Sequence, residues 1–304
     1  MFKPYFTFEK IEGYLNDNID TFIYGRTTED RDRFLYESFL ENKSIKQYQF
    51  IIEDDIIYFI YNQEKIIIDD VIRDLPQLLD DYSIAGCNLL LDITSIDHKI
   101  LFILIKLLLT KFQPSYLFAG YTLPLEYKRD DEYNYELSFD AQNFANFPGY
   151  TTRLDSVSEK IIAVILGYEG GRVNSLVESI TKCTTILPII SFPGVNSNAK
   201  SIAFEKNIGD LESHNSLGEF YYSSIYHPFD IIEILNEINN CYHNKKYQLI
   251  VAPLGARTQS LGTAIFATYN RVTPLFDFPS EKELRSSGVQ SCFISHLSHL
   301  LKTI

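Results

Sequence analysis

Residues 160–176 carry the feature that most constrains the fold, because an apolar run, a glycine-rich turn and a helix start follow one another there. The run at 161–166 contains only isoleucine, valine, leucine and alanine, which is typical of a buried strand. The strand is predicted to end at Gly167, and a helix is predicted over 174–182. The turn between them consists of Tyr168, Glu169, Gly170, Gly171 and Arg172. Because backbone N–H groups at a helix start can bind an anion, this turn is predicted to form half of a ligand site.

The same order of strand, turn and helix recurs along the chain. Further core strands are predicted over 20–24, 87–91, 116–121, 185–191, 247–252 and 272–276. Strands that alternate with helices are joined by crossovers and therefore lie parallel. The predicted fold is α/β, with two Rossmann-like lobes that are each an open, mostly parallel sheet flanked by helices. Residues 294–302 are predicted to form a terminal helix.

The predicted domains are an acidic N-terminal α/β lobe, 1–150, and a C-terminal α/β lobe, 151–304. The regular pattern is lost over 124–150, which is predicted to be an irregular connection inside the first lobe. The first lobe has 14 basic and 26 acidic residues, and the second has 13 and 14. An anionic ligand would therefore meet less repulsion in the second lobe, although the acidic lobe can also simply have a more solvated surface.

Composition excludes several classes of protein. A net charge of −13 argues against general nucleic-acid binding, because proteins that bind duplexes present a basic face. The four cysteines form no CxxC pair and are predicted to be reduced thiols. No apolar stretch is long enough to span a bilayer, and the N-terminus has no apolar signal region. The expectation is a soluble, cytoplasmic protein without a membrane partner.

Glycines and polar residues follow the predicted strands, and they form the candidate ligand site. In an open parallel sheet, ligands bind beyond the C-terminal ends of the strands. Arginine binds phosphate through paired hydrogen bonds, and glycine lets a ligand approach backbone amides. The predicted ligand-binding residues are Gly25, Arg26, Thr27, Gly167, Gly170, Gly171, Arg172, Gly255, Arg257 and Thr258. Turn geometry is the alternative explanation for the glycines, ion pairs with neighbouring carboxylates for the arginines, and helix capping for the threonines.

Two carboxylates are candidate catalytic residues. Glu169 lies in the glycine turn three residues before Arg172, where it can act as a nucleophile, as a general base or as a ligand of a ribose hydroxyl. Asp92 follows a predicted strand and precedes Thr94 and Ser95, so it can bind a metal or a sugar hydroxyl. The alternatives are a solvated turn residue for Glu169 and a capping residue for Asp92.

The chain lacks the motifs that would identify a reaction. It contains no GxxxxGK[ST] and no GxSxG, and Gly167, Gly170 and Gly171 do not match GxGxxG. The six histidines form no metal set, and no cofactor is indicated. The expected function is therefore to bind a nucleotide or another phosphorylated small molecule as a sensor or regulatory module. The alternatives are an enzyme that hydrolyses or transfers a nucleotide or sugar-phosphate group at a glycosidic bond, and a protein-interaction scaffold. A protein partner and a homo-oligomer both stay open.

Overall fold

The computed structural model describes residues 5–7, 18–39, 44–128, 135, 144–150, 159–180, 183–242, 247–278 and 285–302. The chain divides into two compact units. The first unit comprises residues 1–127 and 283–304, and the second comprises 128–282. The predicted division at 150/151 differs from these bounds in two ways: the first unit ends already at Tyr127, and residues 283–304 return to it. As a statement about domains that fold on their own, that division stays a prediction.

The described residues contain sixteen strands. They are β1 (Tyr5–Thr7), β2 (Thr21–Tyr24), β3 (Lys46–Glu53), β4 (Ile56–Tyr61), β5 (Glu64–Ile68), β6 (Asn88–Asp92), β7 (Tyr116–Leu123), β8 (Glu126–Tyr127), β9 (Ala145–Asn146), β10 (Glu159–Ile165), β11 (Cys183–Ser191), β12 (Tyr221–Ser223), β13 (Tyr247–Pro253), β14 (Thr273–Phe276), β15 (Ser286–Ser287) and β16 (Ser291–His296).

Seven α-helices alternate with these strands in the described residues. They are α1 (Asp30–Phe39), α2 (Asp74–Asp81), α3 (His98–Leu107), α4 (Arg172–Glu178), α5 (Ala199–Ser213), α6 (Phe229–Tyr242) and α7 (Arg257–Tyr269). Helix α3 continues as a π-helical turn, Leu108–Phe112, and the last described element is a 3₁₀ turn, Ser298–Lys302. None of the described helices is long and apolar enough to cross a membrane.

The first unit is built on an eight-stranded mixed sheet with the order β1-β16-β7-β6-β2-β3-β4-β5. Strands β7, β6, β2 and β3 are parallel, and the outer pairs are antiparallel. The chain enters the parallel part at β2, continues to β3 on one side, and then crosses to β6 and β7 on the other side. The strand order therefore reverses between β2 and β6.

The second unit is built on a six-stranded sheet with the order β12-β11-β10-β13-β14-β9. All neighbours are parallel except β14 and β9. Its first parallel strand, β10, again lies in the middle, so the strand order reverses between β10 and β13. Residues 160–165 are all buried, as expected for a parallel strand covered on both faces. The prediction of two Rossmann-like α/β lobes is confirmed.

Local details differ from the sequence prediction. The terminal helix over 294–302 is wrong, because Ser291–His296 is a strand that pairs antiparallel with both β1 and β7. Cys292 and Ile294 are both buried, and their spacing of two positions is the period of a strand. The predicted irregular connection over 124–150 contains the short strands β8 and β9, while residues 129–134 and 136–143 lie outside the described part of the chain.

Candidate functional site

The crevice between the ends of β10 and β13 lies where the strand order of the second sheet reverses. Gly167 follows β10, and Gly255 follows β13. A Cβ atom on Gly167 would overlap the carbonyl oxygen of Leu254. A Cβ atom on Gly255 would lie 2.6 Å from both Ile165 Cγ2 and Gln259 Oε1. The two strand ends thus approach so closely that only glycine fits, and the structure brings these two predicted site residues together.

Arg172 lies in the same turn, but a carboxylate already pairs with it. Its Nε donates to Asp277 Oδ2 at 2.7 Å, and its Nη2 donates to the other oxygen of that carboxylate. Asp277 follows β14 and is fully buried. The guanidinium carbon of Arg172 lies 5.2 Å from the ring centre of Phe276. The ion-pair alternative therefore describes Arg172, whose positive charge is largely neutralised within the protein.

Glu169 and the two glycines after it also have local contacts. Glu169 Oε2 lies 3.4 Å from Arg172 Nη1. A Cβ atom on Gly170 would lie 2.5 Å from the carbonyl oxygen of Lys206, and Gly171 has a φ of +79° at the start of α4. The geometry of the turn by itself thus requires Gly170 and Gly171.

Helix α7 begins beside Gly255 and is held in place by Gln259, which is fully buried. Gln259 Oε1 accepts hydrogen bonds from the N–H of Ala256 at 2.9 Å and from the hydroxyl of Ser191 at 3.1 Å. Gln259 Nε2 donates to the carbonyl of Ser223 at 3.3 Å. This one amide ties the helix start to the ends of β11 and β12. The sequence places Gln259 near a strand end, but it gives no sign of this bridging role.

The first turn of α7 has two features that favour an anion. Its N-cap residue is Ala256, which provides no side-chain hydrogen bond, and residues 256–260 include no acidic residue. Arg257, the first helical residue, is buried. The hydroxyl of Thr258 donates to the carbonyl of Ile225 at 2.6 Å, so it serves the packing of the helix rather than capping it.

An exposed aromatic pair adjoins this helix start. Phe192 follows Ser191 directly and is 57% exposed, and Tyr222 of β12 is 46% exposed. Their ring centres lie 6.4 Å apart. Lys200 Nζ lies 4.4 Å from the ring centre of Tyr222 and 5.5 Å from that of Phe192. The pair thus presents aromatic surface and a cation at the C-terminal ends of β11 and β12.

The first unit has an equivalent crevice between the ends of β2 and β6. A Cβ atom on Gly25 would overlap the carbonyl oxygen of Ser95, and the N–H of Gly25 donates to Ser95 Oγ at 2.8 Å. The hydroxyl of Ser95 donates in turn to Asp92 Oδ2 at 2.8 Å. The N–H of Thr94 donates to Asp92 Oδ1 at 3.0 Å. Asp92 is fully buried, and this burial raises the pKa of its carboxyl to about 7. Asp92 thus holds the two strand ends together. The predicted site residue Thr27 lies half-buried in the loop that follows β2.

A buried charge cluster lies beside this crevice, and sequence reasoning missed most of it. Its members are Arg26, Glu29, Arg31, Asp32 and Arg285. Glu29 lies 2.9 Å from Arg31 Nε and 3.4 Å from Arg285 Nε, and Asp32 lies 3.5 Å from Arg26 Nε. The acidic first turn of α1 is visible in the sequence, but no local signal indicates that Arg285 pairs with it.

The two carboxylates of this cluster have opposite pKa shifts. Burial by itself would raise the pKa of Glu29, but Arg31, Arg285 and the hydroxyl of Ser286 hold it below its ordinary value. Burial raises the pKa of Asp32 despite the attraction of Arg31 and Arg26. The surroundings therefore stabilise the ionised form of Glu29, whereas burial disfavours the ionised form of Asp32.

The described residues form no metal centre, and the comparisons with known proteins find no match. Among the described residues, no group of three or more histidine, cysteine or acidic side chains is placed to hold a metal ion. Comparison with protein families, with curated protein sequences and with solved structures finds no match. The geometry of the two crevices is therefore the basis for any functional conclusion.

Proposed function

We propose that the protein binds a nucleotide or another phosphorylated small molecule at the C-terminal ends of the parallel strands of the second sheet, and that it acts as a sensor or regulatory module. The observation that carries this proposal is the crevice between β10 and β13. There the strand order reverses, and Gly167 and Gly255 bring the two strand ends into backbone contact. Ligands of doubly wound sheets bind in this position.

The start of α7 supplies the chemistry for a phosphate. A helix N-terminus carries unsatisfied N–H groups and a partial positive charge, both of which favour an anion. In α7, Gln259 Oε1 accepts the N–H of Ala256, but the side chain of Ala256 offers no hydrogen bond, and no carboxylate in the first turn opposes an anion. Arg257 adds a positive charge at the first helical position. The phosphate of the proposed ligand binds at this turn.

The aromatic pair favours a nucleotide over a simple phosphate. Phe192 and Tyr222 are exposed, and Gln259 bonds to Ser191, the residue before Phe192. Aromatic side chains can stack on any nucleobase, because every base has a flat π-face. In the proposed complex the base packs on this pair, and Lys200 adds a positive charge beside it.

The geometry of the two candidate catalytic carboxylates favours binding over turnover. Asp92 is fully buried, and both of its oxygens accept hydrogen bonds from its own loop. Glu169 lies close to Arg172, which holds it as an ion-pair partner of the turn. In a sensor, neither Asp92 nor Glu169 has to contact the ligand.

The proposal is tested with two substitutions at the N-cap of α7. Thermal unfolding and calorimetry are measured with nucleoside mono-, di- and triphosphates, inorganic phosphate and uncharged nucleosides. A ligand present at 100 times its Kd should stabilise the wild-type protein by about 2.7 kcal/mol. Ala256→Asp caps the helix and should not destabilise the protein, but its charge should weaken binding of the phosphorylated ligand at least about tenfold. Ala256→Asn, the uncharged match, should weaken binding much less.

Three outcomes would overturn the proposal or part of it. No stabilisation by any phosphorylated compound would exclude the ligand class. Equal binding by Ala256→Asp and the wild type would exclude the start of α7 as the anion site. Release of a free base or sugar during incubation, with loss of this activity in Glu169→Gln, would replace the sensor by an enzyme.

A further inference from the structure

The outer part of the first sheet, formed by β3, β4 and β5, has one buried face and one open face. Successive residues of a strand point to opposite faces of the sheet. Phe50 and Phe59 lie opposite each other on one face, and both are buried in the core. On the other face, the antiparallel registers place Ile51, Tyr58 and Ile67 in one row across the three strands.

The open face is apolar. Ile56, two positions before Tyr58, lies beside the same row, so that Ile51, Ile56, Tyr58 and Ile67 together form an apolar shelf. Ile67 is 53% exposed and Ile56 is 41% exposed, whereas Ile51 and Tyr58 are half-buried. Neighbouring apolar side chains that stay exposed to water mark a surface that binds a partner.

The edge of β5 beside this shelf is open as well. β5 is the last strand in the sheet order and pairs only with β4 among the described strands. A lysine on an edge strand commonly prevents further pairing. Lys65 of β5 instead turns back over the sheet, because its Nζ lies 3.7 Å from the ring centre of Tyr58 and 2.5 Å from Glu53 Oε2. The outer backbone groups of β5 are therefore accessible to an added strand.

The surroundings of the shelf are acidic. Asp54 and Asp55 lie between β3 and β4, Glu64 begins β5, and Asp69 follows it; all four are exposed. Residues 46–81 contain nine acidic and three basic residues, a net charge of −6 out of −13 for the whole chain. This charge attracts a basic partner and repels a second copy of the chain, whose shelf has the same acidic surroundings.

We propose that an extended, basic segment of another protein adds a strand to the open edge of β5. Strand addition of this kind gains affinity from backbone hydrogen bonds and specificity from alternate side chains. Glu64 and Ile67 lie on opposite faces of β5 because they are three positions apart. A segment that alternates apolar and basic residues therefore fits, with its apolar side chains on the shelf beside Ile67 and its lysine or arginine side chains beside Glu64.

This surface is independent of the nucleotide site proposed above, because all of its residues belong to the first unit. The proposal goes beyond nucleotide binding, and its failure would leave the proposed function unaffected.

The test measures binding of synthetic peptides to the full-length protein by calorimetry. The probe is acetylated Lys-Val-Lys-Val-Lys-Val-Lys, which should bind and should bind more weakly as salt is added. The control Lys-Lys-Lys-Lys-Val-Val-Val has the same composition without the alternation and should bind at least about tenfold more weakly, because it cannot place its apolar and basic side chains on opposite faces. Glu-Val-Glu-Val-Glu-Val-Glu, with the charge reversed, should not bind. Absence of binding by the probe, or equal binding by either control peptide, would overturn the proposal.

Two substitutions test the position of the segment. Ile67→Lys places a charge on the shelf and should weaken binding of the probe by about tenfold. Ile208→Lys, at an exposed isoleucine of α5, is the matched control and should not change it. Glu64→Lys should also weaken binding by about tenfold, and Glu178→Lys, with the same change in net charge at the exposed end of α4, should not. Ile67 and Glu64 are both exposed, so these variants should fold. Unchanged binding in either variant, or the same loss in its control, would overturn the assignment.

Sedimentation of the protein without peptide tests the alternative occupant. The wild-type protein should not associate through this surface, because the acidic surroundings of two copies repel each other. A dimer that Ile67→Lys dissociates and Ile208→Lys does not would identify a second copy as the occupant and overturn the proposal of a basic partner.

Discussion

At the scale of single residues, the buried carboxyl group of Asp92 makes the stability of the fold depend on pH. Its pKa is about 7 in the folded protein and 3.8 in the absence of the fold. Because the folded pKa is the higher one, the folded state holds the proton more tightly than the unfolded state does. Proton binding to Asp92 therefore stabilises the fold at low pH, and this stabilisation is lost as the pH rises from about 4 to about 7. An asparagine has no charge to bury, so Asp92→Asn should become progressively more stable relative to the wild type over this range. The expected gain is about 1.4 kcal/mol per pH unit.

Urea unfolding of both proteins at pH 5, 6, 7 and 8 checks this prediction. The difference in unfolding free energy between wild type and Asp92→Asn should change with pH up to about 7 and then level off. Asp80→Asn, which alters an exposed carboxylate, is the control and should give an almost constant difference. A constant difference for Asp92→Asn as well would show that the buried carboxyl is ionised throughout.

Single residues also show the limit of what the sequence can predict. The sequence places Arg172 correctly at a strand end beside Gly171, because glycine and arginine after an apolar run are local signals. It cannot indicate that Asp277 pairs with Arg172, because the two are 105 positions apart and meet only when β10 and β14 join one sheet. The same holds for Glu29 and Arg285, which are 256 positions apart. Pairs of this kind depend on the topology, and no local pattern indicates them.

The start of α1 is an element whose stability depends on such a pair. Glu29 Oε2 accepts from Arg31 Nε at 2.9 Å and from the hydroxyl of Ser286 at 2.5 Å, and Glu29 Oε1 accepts from the N–H of Arg285 at 2.5 Å. Glu29→Gln would leave two buried guanidiniums with one carboxylate fewer. Removing one partner of a buried ion pair costs about 3–5 kcal/mol, so this variant should lose about that much stability at pH 7.

The pH dependence of this loss identifies its cause. The pKa of Glu29 lies below its ordinary value, so its contribution is complete above about pH 4.5 and is lost as the pH falls through the folded pKa. The penalty of Glu29→Gln, measured by urea unfolding, should therefore be constant from pH 8 to pH 5 and smaller at pH 4. Glu37→Gln, on the exposed side of the same helix, should change stability by less than about 0.5 kcal/mol. A loss in Glu29→Gln no larger than in Glu37→Gln would contradict the role of the cluster.

At the scale of elements, the strands before glycine turns are predicted well and the last element is not. The run at 161–166 is apolar at every position, and a run of this length is typical of a strand covered on both faces. Residues 291–302 contain apolar residues at both helical and strand spacings, so their local pattern is ambiguous. Residues 291–296 form a strand because β1 and β7 supply hydrogen-bond partners for its backbone N–H and C=O groups on both sides. The sequence around 291–302 contains no information about those neighbours.

The whole molecule is organised by the return of the chain to its first unit. After Tyr127 the chain builds the second unit, and it comes back with β15 and β16. β15 pairs with β8, so that Ser286 lies opposite Tyr127, and β16 fills the place between β1 and β7. The first sheet is therefore incomplete without residues 291–296, although these form the last strand of the described residues.

This topology predicts how the molecule can be divided. Because Tyr127 and Ser286 are paired, replacing residues 129–284 with Asn-Gly should close a tight hairpin between β8 and β15 and keep the eight-stranded sheet. That shortened protein should unfold cooperatively in urea.

A chain of residues 1–150 lacks β16 and Arg285, leaves β7 as an exposed edge, and should show no cooperative transition. Circular dichroism followed through urea unfolding compares the two, with Ile294→Asp in the shortened protein as the control that disrupts a buried position of β16. Cooperative unfolding of the 1–150 chain would instead support a domain boundary at 150/151, and would show that β16 joins a sheet that is already stable without it.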